Sequence, residues 1–107
     1  DPATARVERS VAVTERGRAL DRLNELEWVG GRVLANVWQT DTIAVIDPDS
    51  GAVTARLELG KLYPAGRRAP RADVLNGIAL DARDGTLLVT GKFWPFVYRL
   101  QLLAPLP

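Results

Sequence analysis

VLANVWQTDTIAVIDPDSG, residues 33–51, holds two short apolar runs and closes on a turn. Val33-Leu34-Ala35-Asn36-Val37-Trp38 has the composition of a buried strand, and Ile43-Ala44-Val45-Ile46 that of a second. In Asp47-Pro48-Asp49-Ser50-Gly51, proline presets φ, aspartate and serine bond locally, and glycine accepts φ > 0. Outward from this stretch the apolar residues keep a period of two: Val7, Val11 and Val13 alternate with Arg6, Glu8 and Ala12. Strands are expected near residues 6–13, 25–29, 32–38, 42–47, 52–59, 75–81, 86–92 and 96–102. Leu20, Leu23 and Leu26 keep a loose helical rhythm, but Gly17 interrupts it and no helix is expected. Residues 60–73 form the long loop, with Pro64, Gly66 and Pro70 and the basic Arg67, Arg68 and Arg71.

Composition removes whole classes of chemistry. The chain has 107 residues, enough for one domain. It has no cysteine and no histidine, which removes disulfides, thiolate and imidazole metal sites, Ser-His triads and a histidine general base. The formal net charge is +1, so no global field favours nucleic acid or an anionic membrane. No apolar run reaches the roughly 18 residues of a transmembrane helix, and Asp1-Pro2-Ala3-Thr4 does not open a signal peptide.

The chain repeats itself. Asp1-Pro2-Ala3-Thr4 aligns with Asp47-Pro48-Asp49-Ser50, and downstream Val7, Val11 and Val13 meet Val53, Leu57 and Leu59. Asn24-Glu25-Leu26-Glu27-Trp28 aligns with Asn76-Gly77-Ile78-Ala79-Leu80. With two extra residues in the Asp81–Gly85 turn, Val33–Trp38 lies on Leu87–Lys92. A period of about 45–50 residues with four short strands in each is the signature of a β-propeller. In that frame residues 1–13 carry the outer strand of a preceding blade, at 6–13. Residues 21–59 form a complete blade, and 73–102 a last blade without its outer strand. The expected fold is all-β, with roughly two and a half antiparallel blades at the C-terminal end of a longer ring. Trp38 and Lys92 become equivalent positions, expected on adjacent inner strands and converging with Asn24 at one end of the channel.

The stretches LNELEWVGGRVLANVWQTD, IDPDSGAVTARLEL, ADVLNGIALD and LLVTGKFWP, in that order and spacing, resemble the plant and bacterial glutaminyl cyclases, the glutamine cyclotransferase family of five-bladed propellers. The resemblance implies an acyltransferase that converts N-terminal glutamine to pyroglutamate and releases ammonia. It implies partners that are peptides or proteins with N-terminal glutamine, joined by the remaining blades or a second copy of this chain, with no nucleic acid and no membrane. No cofactor is implied. A structural ion occurs in the channel of some members, and no clustered carboxylate site for one stands out in this segment. A periplasmic or secreted location is implied by the bacterial relatives. The glutamate thought to shuttle the proton lies outside this segment in the family, so Glu25 and Glu27 do not inherit the role and these residues alone are expected to be inactive.

Family binding positions fall on Asn24, Trp38 and Lys92. Asn24 offers a donor and an acceptor to an amide or amine, or closes an Asx turn. Trp38 offers a flat apolar wall, or ordinary core. Lys92 places a positive charge near a developing oxyanion or a channel carboxylate, or is simply solvated. Asn76 and Gln39 are weaker candidates of the same kind, with turn or structural roles beside them. Trp28 and Trp94 are expected to pack between blades, and Glu25 and Glu27 to pair buried with channel polar groups. Two other readings compete. One is a non-catalytic propeller that binds or scaffolds. The other is a nucleic-acid module on Arg67, Arg68 and Arg71, which lacks an interleaved aromatic platform and reads better as a solvated loop.

Overall fold

Pairing of the apolar runs builds three sheets. The computed structural model describes residues 3–107, so Asp1 and Pro2 of the first repeat match lie outside the described residues. A two-stranded ribbon joins β1 (Thr14–Glu15) to β2 (Arg18–Ala19). The second sheet runs in sequence order through β3 (Leu23–Val29), β4 (Arg32–Val37), β5 (Thr42–Ile46) and β6 (Val53–Glu58). The third contains β7 (Leu75–Asp81), β8 (Thr86–Gly91) and β9 (Tyr98–Leu100). Every neighbouring pair within the sheets is antiparallel. Ala65–Arg67 add one 3₁₀ turn inside the long loop.

The central strands β4 and β5 are apolar without alternation because both faces of their sheet are covered. Leu34, Ile43 and Val45 point to one side and share a cluster with Leu75, Leu87 and Val89 of the next sheet. Ala35, Val37, Ala44 and Ile46 point to the other, against Val13, Leu20 and Leu23. Each of the large, fully buried side chains contributes about 1.5–3 kcal/mol relative to exposure. The flanking strand β6 alternates instead, with every second residue exposed, as a strand with one covered face does.

The expected strand at 6–13 is absent. Residues 5–13 carry no strand, and Val7 is 76% exposed. Alternating valines fit a sheet edge, but a strand exists only through ladder bonds to a neighbour, and no sheet edge among the described residues takes up this segment. It crosses the 47–52 turn instead. Arg9 hydrogen-bonds the Pro48 carbonyl, and Thr14 N–H donates to Gly51 O at 2.9 Å in a parallel bridge. Gly51, at φ 78°, has room for no side chain because the Ala12 carbonyl occupies the place a Cβ would take. The last expected strand, 96–102, shortens to Tyr98–Leu100.

Candidate functional site

The two larger sheets begin with the same irregularity. In β3 the pairing shifts between Leu23↔Val37 and Leu26↔Ala35, and in β7 between Leu75↔Gly91 and Ile78↔Val89. Asn24 and Asn76 sit inside these shifts. A bulge of this kind re-aims side chains at a sheet end and takes backbone groups out of the ladder. Gly77 adopts φ 134° there, a conformation few side chains tolerate, and a Cβ at that position would press on Thr90.

The opposite strand ends also match. Trp38 N–H donates to Arg22 O at 2.8 Å, and Lys92 N–H to Val74 O at 2.9 Å. One turn later Thr40 N–H reaches Val37 O and Trp94 N–H reaches Gly91 O, each at 3.1 Å. Between them Gln39 and Phe93 hold left-handed backbones, at φ 64° and 59°. The repeat read from the sequence is therefore a repeat of hydrogen bonds. Asn24, Trp38 and Gln39 lie at one end of the first sheet, and Asn76 and Lys92 at the corresponding end of the second. Trp38 and Lys92 do not lie on inner strands as expected. Both sit in turns just past β4 and β8, the second strands of their sheets, because the left-handed residue that follows ends the ladder. Trp38 (46% exposed), Asn24, Gln39 and Lys92 are open to solvent at this end, and Asn76 is half-buried.

The join between the sheets is polar at the same end. Asn36, on the β4 face that looks toward β7, is fully buried, and its Oδ1 accepts the Gly77 N–H at 3.0 Å. Its Nδ2 and the Oδ1 of Asn76 are buried without a protein partner. One donor and one acceptor thus remain unpaired where an amide would need both. Further along the join Glu27 accepts the Leu80 N–H at 3.1 Å and the Trp28 N–H at 3.1 Å. Glu27 is a structural clip between sheets, whereas Glu25 is exposed rather than buried. Asn36 was legible only as a polar residue in an apolar run. Its role depends on which face of β4 meets β7, and no local pattern states that.

Two further expectations change. Trp28 is 57% exposed and does not pack between sheets, since Glu27 and Val29 take the face of β3 that meets the third sheet. Trp94 does pack against the shared core, and its Nε1 donates to Asp73 O at 2.7 Å. Its indole lies over Gly91, where any Cβ would collide with the ring, while the matching position in the first sheet carries Val37. The basic loop is not uniformly solvated either. Arg67 and Arg71 are exposed, but Arg68 folds inward. Its Nη2 donates to Asp41 Oδ1 at 2.6 Å and its Nε to Tyr63 O at 2.9 Å, with the guanidinium 5.0 Å from the Trp94 ring. The aromatic partner is 26 positions away in the chain, so spacing could not reveal it. Among the described residues no group of three or more carboxylates is placed to hold a metal ion, and no helix is long and apolar enough to cross a membrane.

Comparison with known proteins identifies a family. The glutamine cyclotransferase family model matches residues 1–102. A glutaminyl-peptide cyclotransferase of Arabidopsis thaliana is 43% identical over 106 residues, covering 95% of this chain and 32% of that protein. The crystal structure of Myxococcus xanthus glutaminyl cyclase matches with a TM-score of 0.74 and 34% identity, over 85% of this chain and 40% of that one. The chain thus spans less than half the length of either relative. The fold is all-β and propeller-like, and the described sheets are a segment of it.

Proposed function

The chain belongs to the glutamine cyclotransferase family, and from that premise we infer that it contributes part of the active site of a glutaminyl-peptide cyclotransferase. The observation that carries the reading is the repeated strand end. It sets Trp38 and Lys92 at matching positions of two neighbouring sheets, beside bulges that carry Asn24 and Asn76. In the reaction the α-amine of an N-terminal glutamine attacks its own side-chain amide carbon. A C–N bond forms to close the five-membered ring, the amine loses a proton, and the tetrahedral intermediate expels ammonia after that nitrogen gains one. No cofactor is required by this chemistry.

The side chains divide the work. Trp38 supplies an apolar wall that favours the folded, ring-like conformer of the glutamine side chain. Asn24, with Asn76 and Gln39 near it, offers donors and acceptors to the amine and the amide. Lys92 stabilises the negative charge that develops on the amide oxygen. The proton-shuttling carboxylate belongs to blades outside these residues. Glu27 is committed to two backbone N–H groups, and Glu25 stands in solvent. The peptides would be met in the periplasm or outside the cell, the location that the resemblance to often-exported bacterial relatives implies.

The test is ammonia release from a peptide with N-terminal glutamine, catalysed by the complete ring. Lys92→Met should lower kcat by about a hundredfold, the size of a lost oxyanion contact. Trp38→Ala should act mainly on KM. Full activity in the Lys92→Met variant would remove lysine from the chemistry, and no ammonia from the unaltered ring would refute the reading.

A further inference from the structure

Two cations share one aromatic ring beside the candidate site. The Arg71 guanidinium carbon lies 5.5 Å from the centre of the Phe93 ring, and Lys92 Nζ lies 5.8 Å from it. Phe93 is 62% exposed and held in the left-handed region, so the ring is displayed at the sheet end rather than folded into the core. Arg71 is brought there by the backbone. Asp73 N–H donates to Lys92 O at 2.8 Å, and this bond lays residues 71–74 along the turn that follows β8.

The charges of the pair are uncompensated. Among the described residues the ion pairs engage Arg9, Arg56, Arg68, Arg83 and Arg99, and none engages Arg71 or Lys92. The acidic residues at this end do not neutralise them. Asp41 is taken by Arg68, and Asp73, Glu25 and Asp21 are exposed and form no ion pair with either cation. Two like charges held near one ring face solvent at a cost that an incoming anion would remove. The flat ring between them would cover the apolar stem of such a group.

Resting on the cyclotransferase reading, we propose that Arg71, with Phe93 and the outer side of Lys92, forms a carboxylate-selecting subsite for the residues that follow the N-terminal glutamine. An extended peptide advances about 3.3 Å per residue. The residues that follow a glutamine seated at Lys92 are therefore within reach of the Phe93 ring, 5.8 Å from Lys92 Nζ. Arg71 is a specificity residue here, not a catalytic one. The carboxylate can be an acidic side chain or the free terminus of a short peptide.

The experiment compares four peptides on the complete ring: Gln-Glu amide, Gln-Ala amide, Gln-Lys amide and Gln-Ala with a free carboxyl terminus. The expected kcat/KM is about fivefold higher for Gln-Glu amide than for Gln-Ala amide, the upper range for an exposed ion pair, and lowest for Gln-Lys amide. The free-acid peptide tells whether a terminal carboxylate serves as well as a side chain. Arg71→Gln should bring the ratio near one, and Arg71→Glu should invert it in favour of Gln-Lys amide. Arg83→Gln, at the far turn of the same sheet, should leave the ratio as it is. Salt near 1 M, where the screening length falls to about 3 Å, should flatten it. Equal turnover of all four peptides, or a ratio unmoved by Arg71→Glu, overturns the subsite and leaves cyclisation standing. If no peptide is cyclised, the cyclotransferase reading fails instead. Equilibrium competition between Gln-Glu amide and Gln-Lys amide then still decides the subsite, and equal binding rejects it.

Discussion

Asn36 shows how much one side chain decides. It stands buried at the polar end of the join between the sheets, and its Oδ1 takes up the N–H of Gly77 in the β7 bulge. Without that acceptor a buried N–H would stand unpaired, at a cost of about 1–3 kcal/mol. Asp81 is the comparable residue on the outer side. The Arg83 guanidinium and backbone N–H, and then Arg99, hold its carboxyl well below the usual carboxylate range. A lowered folded-state pKa contributes stability that is complete above the unfolded value and is lost as pH falls toward the folded one. The denaturant midpoint should therefore stay level from neutrality to about pH 5 and decline below about pH 4, where an unfolded aspartate titrates. Asp81→Asn should soften that acid decline without abolishing it, since hydrogen bonds from Arg56 and Thr86 likewise lower Glu15 and Asp84. Identical acid limbs in the two proteins would count against the Asp81 network.

At the scale of elements, the repeated unit is a bulged strand, a hairpin and a left-handed turn, and the loop from Gly60 to Asp73 is what differs between them. Arg68 and the buried Tyr63 both anchor that loop. Arg68 ties Tyr63, Asp41 and the face of Trp94 together, and Tyr63 Oη in turn accepts the Ala69 N–H at 2.6 Å. Removing a hydrogen-bonded charge from this position costs about 2 kcal/mol, and the loss falls on the loop first, because the residues on either side of Arg68, 65–67 and 69–71, are exposed. Arg68→Ala should accelerate tryptic cleavage after Arg67 and Arg71 several-fold, with global unfolding moved much less. Cleavage at the unaltered rate would mean that Tyr63 and Trp94 hold the loop without the arginine. The missing strand at 6–13 belongs to the same scale: alternation describes a strand's faces, but a strand also needs an edge to join.

For the whole molecule, the exposed apolar groups are too many for solvent to face comfortably. Leu26, Trp28, Phe96 and Val97, none of them in the candidate site, are all half exposed or more. The three-stranded sheet ends at β9, whose outer side has no neighbouring strand among the described residues. Such patches and open edges mark surfaces that other chain segments cover. The isolated 107 residues should therefore associate at micromolar concentration and sediment well above 11.7 kDa. Mixing with the remaining blades should suppress that association. A stable monomer of the isolated segment would show that the sheets need no further cover.

The all-β class, the strand pairs around residues 33–46, the turn at Asp47–Gly51 and the equivalence of Trp38 with Lys92 were all determined by the sequence alone. Each rests on local periodicity, turn chemistry or self-similarity, which short stretches carry entire. Tertiary structure alone decided that Asn36 faces β7, that Arg68 stacks on Trp94 while Arg71 reaches Phe93, and that residues 5–13 form no strand. These depend on which sheet face meets which, and on which edge lies within reach of a segment. Hydrogen bonds and ring contacts act over a few ångströms in space, whatever the separation along the chain.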